Sequence, residues 1–255
     1  MEDTRKELEA LFDEMLGNIK YFKKKSYQSV FEKSYEKYSR LFENLQSYCE
    51  ELAEQKDRDE VIRDTASVIP DYAIRKLKDI PKHKKATLSI DYNMTMAVYI
   101  IPMFTYQGLP ENERIAKQMV KLWNEKKVTG NNIQMSTYEK IEGGFKNRLC
   151  YITTAVCDSQ NKPDDCYELT ALRNYRDQYL MKTEEGRQMV EEYYDIAPGI
   201  VLAIDMQQDS KRIYEGIYKE YLMPCIRYAE DGRNEECKEL YMDMVYNLQK
   251  KYLDS

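Results

Sequence analysis

The stretch SYQSVFEKSYEKYSRLFENLQSYCEEL, residues 26–52, decides the fold. Its apolar and aromatic side chains fall at Phe31, Tyr35, Tyr38, Phe42, Leu45, Cys49 and Leu52, a 4-3-4-3-4-3 spacing. That period gathers all seven on one face of an α-helix and scatters them over both faces of a strand, so the segment is a helix with an unbroken heptad seam. Ser26 stands where an N-cap belongs. Upstream of Lys23-Lys24-Lys25, the side chains of Leu8, Phe12, Met15, Ile19 and Phe22 draw a matching stripe along a helix over residues 4–22. Two adjacent seams most simply make an antiparallel hairpin, but the same pattern also pairs two chains, and the sequence does not choose.

Working outward, residues 58–77 read as a helix kinked or broken by Pro70 and closed by Pro81, because an interior proline removes a hydrogen bond and crowds the preceding turn. Residues 88–106 are apolar nearly all round, as in a central buried helix, and Pro102 should bend it. Residues 111–127 are amphipathic, Gly130-Asn131-Asn132 marks a turn, and a short helix follows over about 136–142. Cys150 to Cys157 is β-branched enough to argue for strand or helix, with helix favoured by its surroundings. Asp164-Asp165 suits the start of a helix through Leu180, and another begins near Thr183 and is interrupted at Pro198. Residues 210–228 and 234–253, split by Glu230-Asp231-Gly232, form a second hairpin. No internal repeat stands out. The expectation is an all-α, multi-helix bundle with an N-terminal long helical hairpin. Its divisions would be 1–80 (hairpin and third helix) and 81–255 (helical body containing 150–198), or one continuous domain over 1–255.

Composition supports this class. Nine Gly and seven Pro in 255 residues are about half the usual share, too few for a turn-rich β architecture or a glycine-cradled nucleotide site. A net charge of -6 argues against nucleic acid as a partner, since phosphate binding needs a basic face. The N-terminus lacks the pattern of a secretory signal, and the most apolar run, Ala97 to Phe104, is eight residues long and holds Pro102; the expectation is a cytoplasmic chain with no membrane association. The lone histidine, His83, leaves no base for a conventional triad and no multi-histidine metal site.

Within residues 150–198, Cys150, Tyr151 and Ile152 are followed by Thr154 and Ala155, then Leu172, Arg173, Tyr175, Arg176 and Asp177, then Gly186, Tyr193, Tyr194 and Pro198. This order and spacing resembles the CFI-box family of bacterial domains over about a fifth of the chain. The family has no assigned activity, so the resemblance implies a module and no reaction. Where many members carry a small residue, a tyrosine and a glycine, this chain has Val156, Cys157 and Asp158, and it adds Cys166.

Those thiols are the first candidate site. Cys150, Cys157 and Cys166, spaced C-x6-C-x8-C, offer three soft ligands for zinc or an iron–sulfur centre, or three reactive thiols; the alternative is that they pack as small hydrophobes. Cys49, on the seam, reads as core, and Cys225 and Cys237 could meet across their turn. The second candidate is Arg173, Arg176 and Asp177 with Glu168, an ion-pair group or anion site in which Arg173 and Asp177 stand at i, i+4. Twenty-three tyrosines against six phenylalanines suit half-wet seams or a partner surface. Three functions follow: an interaction or regulatory module with a protein partner or a second copy on the heptad helices; a metal- or thiol-dependent enzyme or sensor centred on the cysteines; and a small-molecule binder walled by the 88–106 helix.

Overall fold

The computed structural model describes residues 2–52, 54–146 and 151–253, and all regular structure among them is helical. The chain divides into two compact units, one comprising residues 1–22 and 26–143, the other 23–25 and 144–255. By contacts the division lies near 143, where the sequence places it at 80 or leaves one continuous domain. The reason is packing: the helices after residue 80 bury their apolar faces against the N-terminal ones instead of founding a body of their own.

In the first unit, α1 (Glu2–Asn18) and α2 (Tyr27–Glu51) form the hairpin, joined through a tight turn over Ile19–Tyr21 and the loop 22–26. Leu8, Leu11, Phe12 and Met15 of α1 are buried, as are Phe31, Tyr35, Phe42, Leu45 and Cys49 of α2. The seam is thus spent inside the unit, against α1, α3 (Gln55–Lys78) and α6 (Pro110–Glu125). Two bonds pin the start of α6 to α2: the Glu111 amide donates to Gln46 Oε1 and the Asn112 side-chain amide to the Phe42 carbonyl, both at 2.9 Å. Ser26 holds the cap position, but its hydroxyl donates to the Tyr21 carbonyl and fastens the turn rather than the helix.

The expected central helix exists as α4 (Lys82–Thr95), a π turn (Met96–Ile100) and α5 (Ile101–Thr105), and every residue from Asp91 to Phe104 is buried. Pro102 produces the π turn where a bend was expected. Lacking an N–H, it strands the carbonyls four and five residues back, Val98 and Ala97, and the widened turn exposes them to side-chain donors. The Tyr27 hydroxyl donates to Val98 at 2.8 Å and the Ser136 hydroxyl to Ala97. Residues 138–146 form α7.

The second unit holds α8 (Tyr151–Ser159), α9 (Tyr167–Gln178), α10 (Glu184–Asp205), α11 (Ser210–Ile217), a π turn (Tyr218–Leu222), α12 (Met223–Glu230) and α13 (Asn234–Tyr252). Pro198 lies inside α10 without interrupting it, just as Pro70 lies inside α3. The two units share more than this. In each, a proline-bearing helix is followed by a helix, a π turn with proline two residues beyond it, a short helix, and a long helix. Around the two π turns the chain reads Tyr99-Ile100-Ile101-Pro102-x-Phe104-x-Tyr106 and Tyr221-Leu222-Met223-Pro224-x-Ile226-x-Tyr228. The pairings α1 with α3 and α4, and α3 with α6, recur as α8 with α10 and α11, and α10 with α13. So a shared helical plan exists that direct reading of the residues does not disclose. Among the described residues no helix is long and apolar enough to cross a membrane.

Candidate functional site

The C-terminus of α8 is where the chain brings chemistry together. Every residue from Tyr151 to Cys157 is buried, and the helix then stops in a Schellman turn: Asn161 adopts φ 56°, the Lys162 amide donates to the Cys157 carbonyl at 3.0 Å, and the Asn161 amide to Asp158 at 2.9 Å. Asparagine tolerates that left-handed backbone, and Pro163 prevents the helix from resuming. The reversed chain delivers Cys166 to the N-cap of α9, its backbone extended at ψ 160°. The result is a thiol pair, with Cys166 Sγ 3.5 Å from Cys157 Sγ. Cys157 is 1% exposed and packs with Leu169, whereas Cys166 is half-buried.

Glu168 completes the cluster, with ligand atoms of Cys157, Cys166 and Glu168 all within 4.8 Å of one another. Its carboxylate takes the Lys162 ammonium and, at 2.9 Å, the Tyr218 hydroxyl from the second π turn. Lys162 also lies over the Tyr218 ring, 4.5 Å from its centre. Burial alone would raise the Glu168 pKa, but the bonds from Lys162, a backbone amide and Tyr218 outweigh it and hold the carboxyl down at about 2. For Cys157 nearly everything points the other way. Burial, the hydrogen bond and charge of Cys166, and the Glu168 carboxylate push its thiol up to about 12, opposed only by Lys162.

Of the expected thiol triplet, Cys157 and Cys166 meet, while Cys150 lies outside the described residues. Cys49 is core, as expected. Cys225 and Cys237 do meet across the α12–α13 turn, both fully buried, and the hydrogen bond to Cys237 together with burial pushes the Cys225 thiol far up.

The Arg173, Arg176, Asp177 and Glu168 group does not assemble as one site. Side chains on a helix lean toward its N-terminus, so Arg173 reaches back to Asp164, bonding its carboxylate and its carbonyl at 2.8 Å, instead of forward to Asp177. Asp177 takes Arg176 at 2.7 Å, Arg176 also donates to the Tyr194 hydroxyl at 2.7 Å, and Glu168 belongs to the thiol cluster.

The donor set fits a metal only in part. Two thiols and a carboxylate suit zinc, but that carboxylate already carries an ammonium ion, and a bound cation would displace Lys162. An iron–sulfur centre needs four thiolates, and the described residues bring only two here.

Elsewhere in residues 151–198, Gly186 is fixed by space: a Cβ there would stand 2.0 Å from the Leu180 carbonyl oxygen. Thr183 caps α10 by accepting the Gly186 amide at 3.0 Å, and Tyr193 Oη accepts the Ile152 amide at 2.9 Å, tying α10 to the first turn of α8. The loop over 158–163 is legible from its Pro163, but nothing local marks Lys162 or Tyr218 as partners of Glu168. No family model, curated protein or solved structure matches the chain.

Proposed function

We propose that this chain is a cytoplasmic helical regulatory module whose state is set by reversible oxidation of Cys157 and Cys166. The observation that carries the reading is the 3.5 Å contact between two thiols of unequal burial. Cys166, half-buried and at the N-cap of a twelve-residue helix, meets the oxidant. Its thiolate attacks the terminal oxygen of a hydroperoxide; an S–O bond forms, the O–O bond breaks, and the alcohol or water leaves. Cys157 then loses its proton and displaces hydroxide from the sulfenic sulfur, so two thiols and one hydroperoxide become a disulfide, water and the alcohol or a second water. Oxidation of Cys166 removes two of the influences that hold Cys157 protonated, its hydrogen bond and its charge. The disulfide would tie the end of α8 to the start of α9, and a partner reading that junction would sense the change.

Peroxide treatment followed by peptide mapping tests this. Wild-type protein should yield a Cys157–Cys166 disulfide, and Cys157→Ser should stop at a sulfenic acid on Cys166 that a dimedone probe traps. Failure to form the bridge at millimolar peroxide, or first oxidation at Cys157, overturns the reading. Thiols that label only after chelation would move the site to zinc.

A further inference from the structure

A second feature of the 144–255 unit owes nothing to the thiol pair. Leu172, Leu180, Met189, Val190, Tyr193 and Met242 line a half-open pocket of about 60 Å³ between α9, α10 and α13, with Thr153 and the stems of Arg176 and Lys238 at its edges. Its wall is almost wholly apolar, and the polar groups around it explain why. Tyr193 Oη is turned to the Ile152 amide, Tyr175 Oη to the Asn234 carbonyl at 2.8 Å, and Tyr241 Oη to Thr153 Oγ1 at 3.4 Å. Arg176 is engaged by Asp177 and Tyr194, and Lys238 by Glu235 at 2.7 Å. Each faces its partner, leaving carbon and sulfur to the space.

Water is a poor tenant. A tightly held water needs two to four polar partners, and this lining offers almost none, so the waters in the pocket are readily displaced. The same chemistry suits a small uncharged ring. Met189 and Met242 are unbranched and polarizable, adapt to an occupant's shape, and make favourable sulfur contacts with aromatic edges, as Tyr193 does with its ring.

We infer that this pocket is a binding site for a small neutral aromatic molecule of single-ring size. An anionic ligand is disfavoured by the same wall: a carboxylate pressed against it finds no hydrogen-bond partner there, and the two cations at the edge are already paired.

The test is a titration of the full chain, carrying ¹³C-methyl methionine, with benzene and with benzoate. Benzene should shift the Met189 and Met242 methyl signals saturably, leave Met94 in the other unit unmoved, and raise the melting temperature. Benzoate should bind at least about tenfold more weakly. Met242→Trp should fill the space and abolish the benzene effect; should that variant fail to fold, the wild-type methyl shifts and the benzene–benzoate ratio decide. No saturable shift at Met189 and Met242, tighter binding of benzoate, or a benzene response unchanged in a folded Met242→Trp protein overturns the inference.

Discussion

The hydroxyl of Tyr27 donates to the carbonyl of Val98 at 2.8 Å, and Val98 is the residue that Pro102 deprives of its helical partner. A side chain from the second helix therefore repairs a backbone defect in the most buried stretch of the chain, where Tyr27 itself is 1% exposed. Proline and tyrosine here form one device: the first opens a carbonyl, the second closes it.

Tyr27→Phe keeps the ring and removes the repair, so it should cost about 1–3 kcal/mol, the usual penalty for a buried acceptor left without a donor. In a Pro102→Ala background the restored N–H competes for Val98, and the same substitution should cost less. Urea denaturation of the four proteins of the cycle measures the difference; equal costs in both backgrounds would dissolve the link between the two residues.

Gly186→Ala reverses the ordinary rule for helices. Alanine normally gains up to about 1 kcal/mol over glycine in a helix, but here the new methyl would overlap the Leu180 carbonyl, so a net loss of about 2 kcal/mol or more is expected. Gly216→Ala, with open space around it, is the control and should be neutral or stabilising. Comparing melting temperatures of the two variants checks the contrast.

Much of the architecture was legible because helical period is a local property. The Phe31-to-Cys49 seam and the turn at Gly232 follow from neighbours within a few residues, whereas the helical state of residues 151–159 follows only from the all-α class of the chain. What escaped was set by distance or direction. Spacing alone pairs Arg173 forward with Asp177, whereas the tilt of helical side chains sends it back to Asp164. Glu168 owes its character to Lys162 first and then to Tyr218, fifty residues on, and no spacing rule connects the three. The unit boundary near 143 depends on which faces α3 and α6 bury together, a choice made only in the assembled bundle.

Phe42 tests the seam itself. It is fully buried, stacked on Tyr35 with ring centres 5.2 Å apart and edge-on to Phe104 at 5.0 Å. Phe42→Ala should lose about 3–5 kcal/mol through lost transfer energy and the cavity left behind. An unchanged denaturation midpoint would mean that the α2 face is not packed inside the chain in solution.

The Glu168 cluster predicts an acid-sensitive fold. Its carboxyl is held at about 2 against an ordinary 4.5, so the native state binds its proton less readily than the unfolded chain does. A depressed pKa contributes stability that is present in full above the unfolded value, declines as pH falls from about 4.5 to 2, and is gone below that. Lys162 is raised by the same contact, although burial opposes the rise, and its share is lost only at high pH, as the ammonium gives up its proton. The two are one interaction seen from both ends and are not added. Glu168→Gln should therefore be less stable than wild type at pH 7, where it leaves Lys162 unpaired, and the gap should close between pH 4.5 and 2. Denaturation midpoints of both proteins across that range measure the slope; parallel curves would show that Glu168 titrates as an ordinary carboxylate.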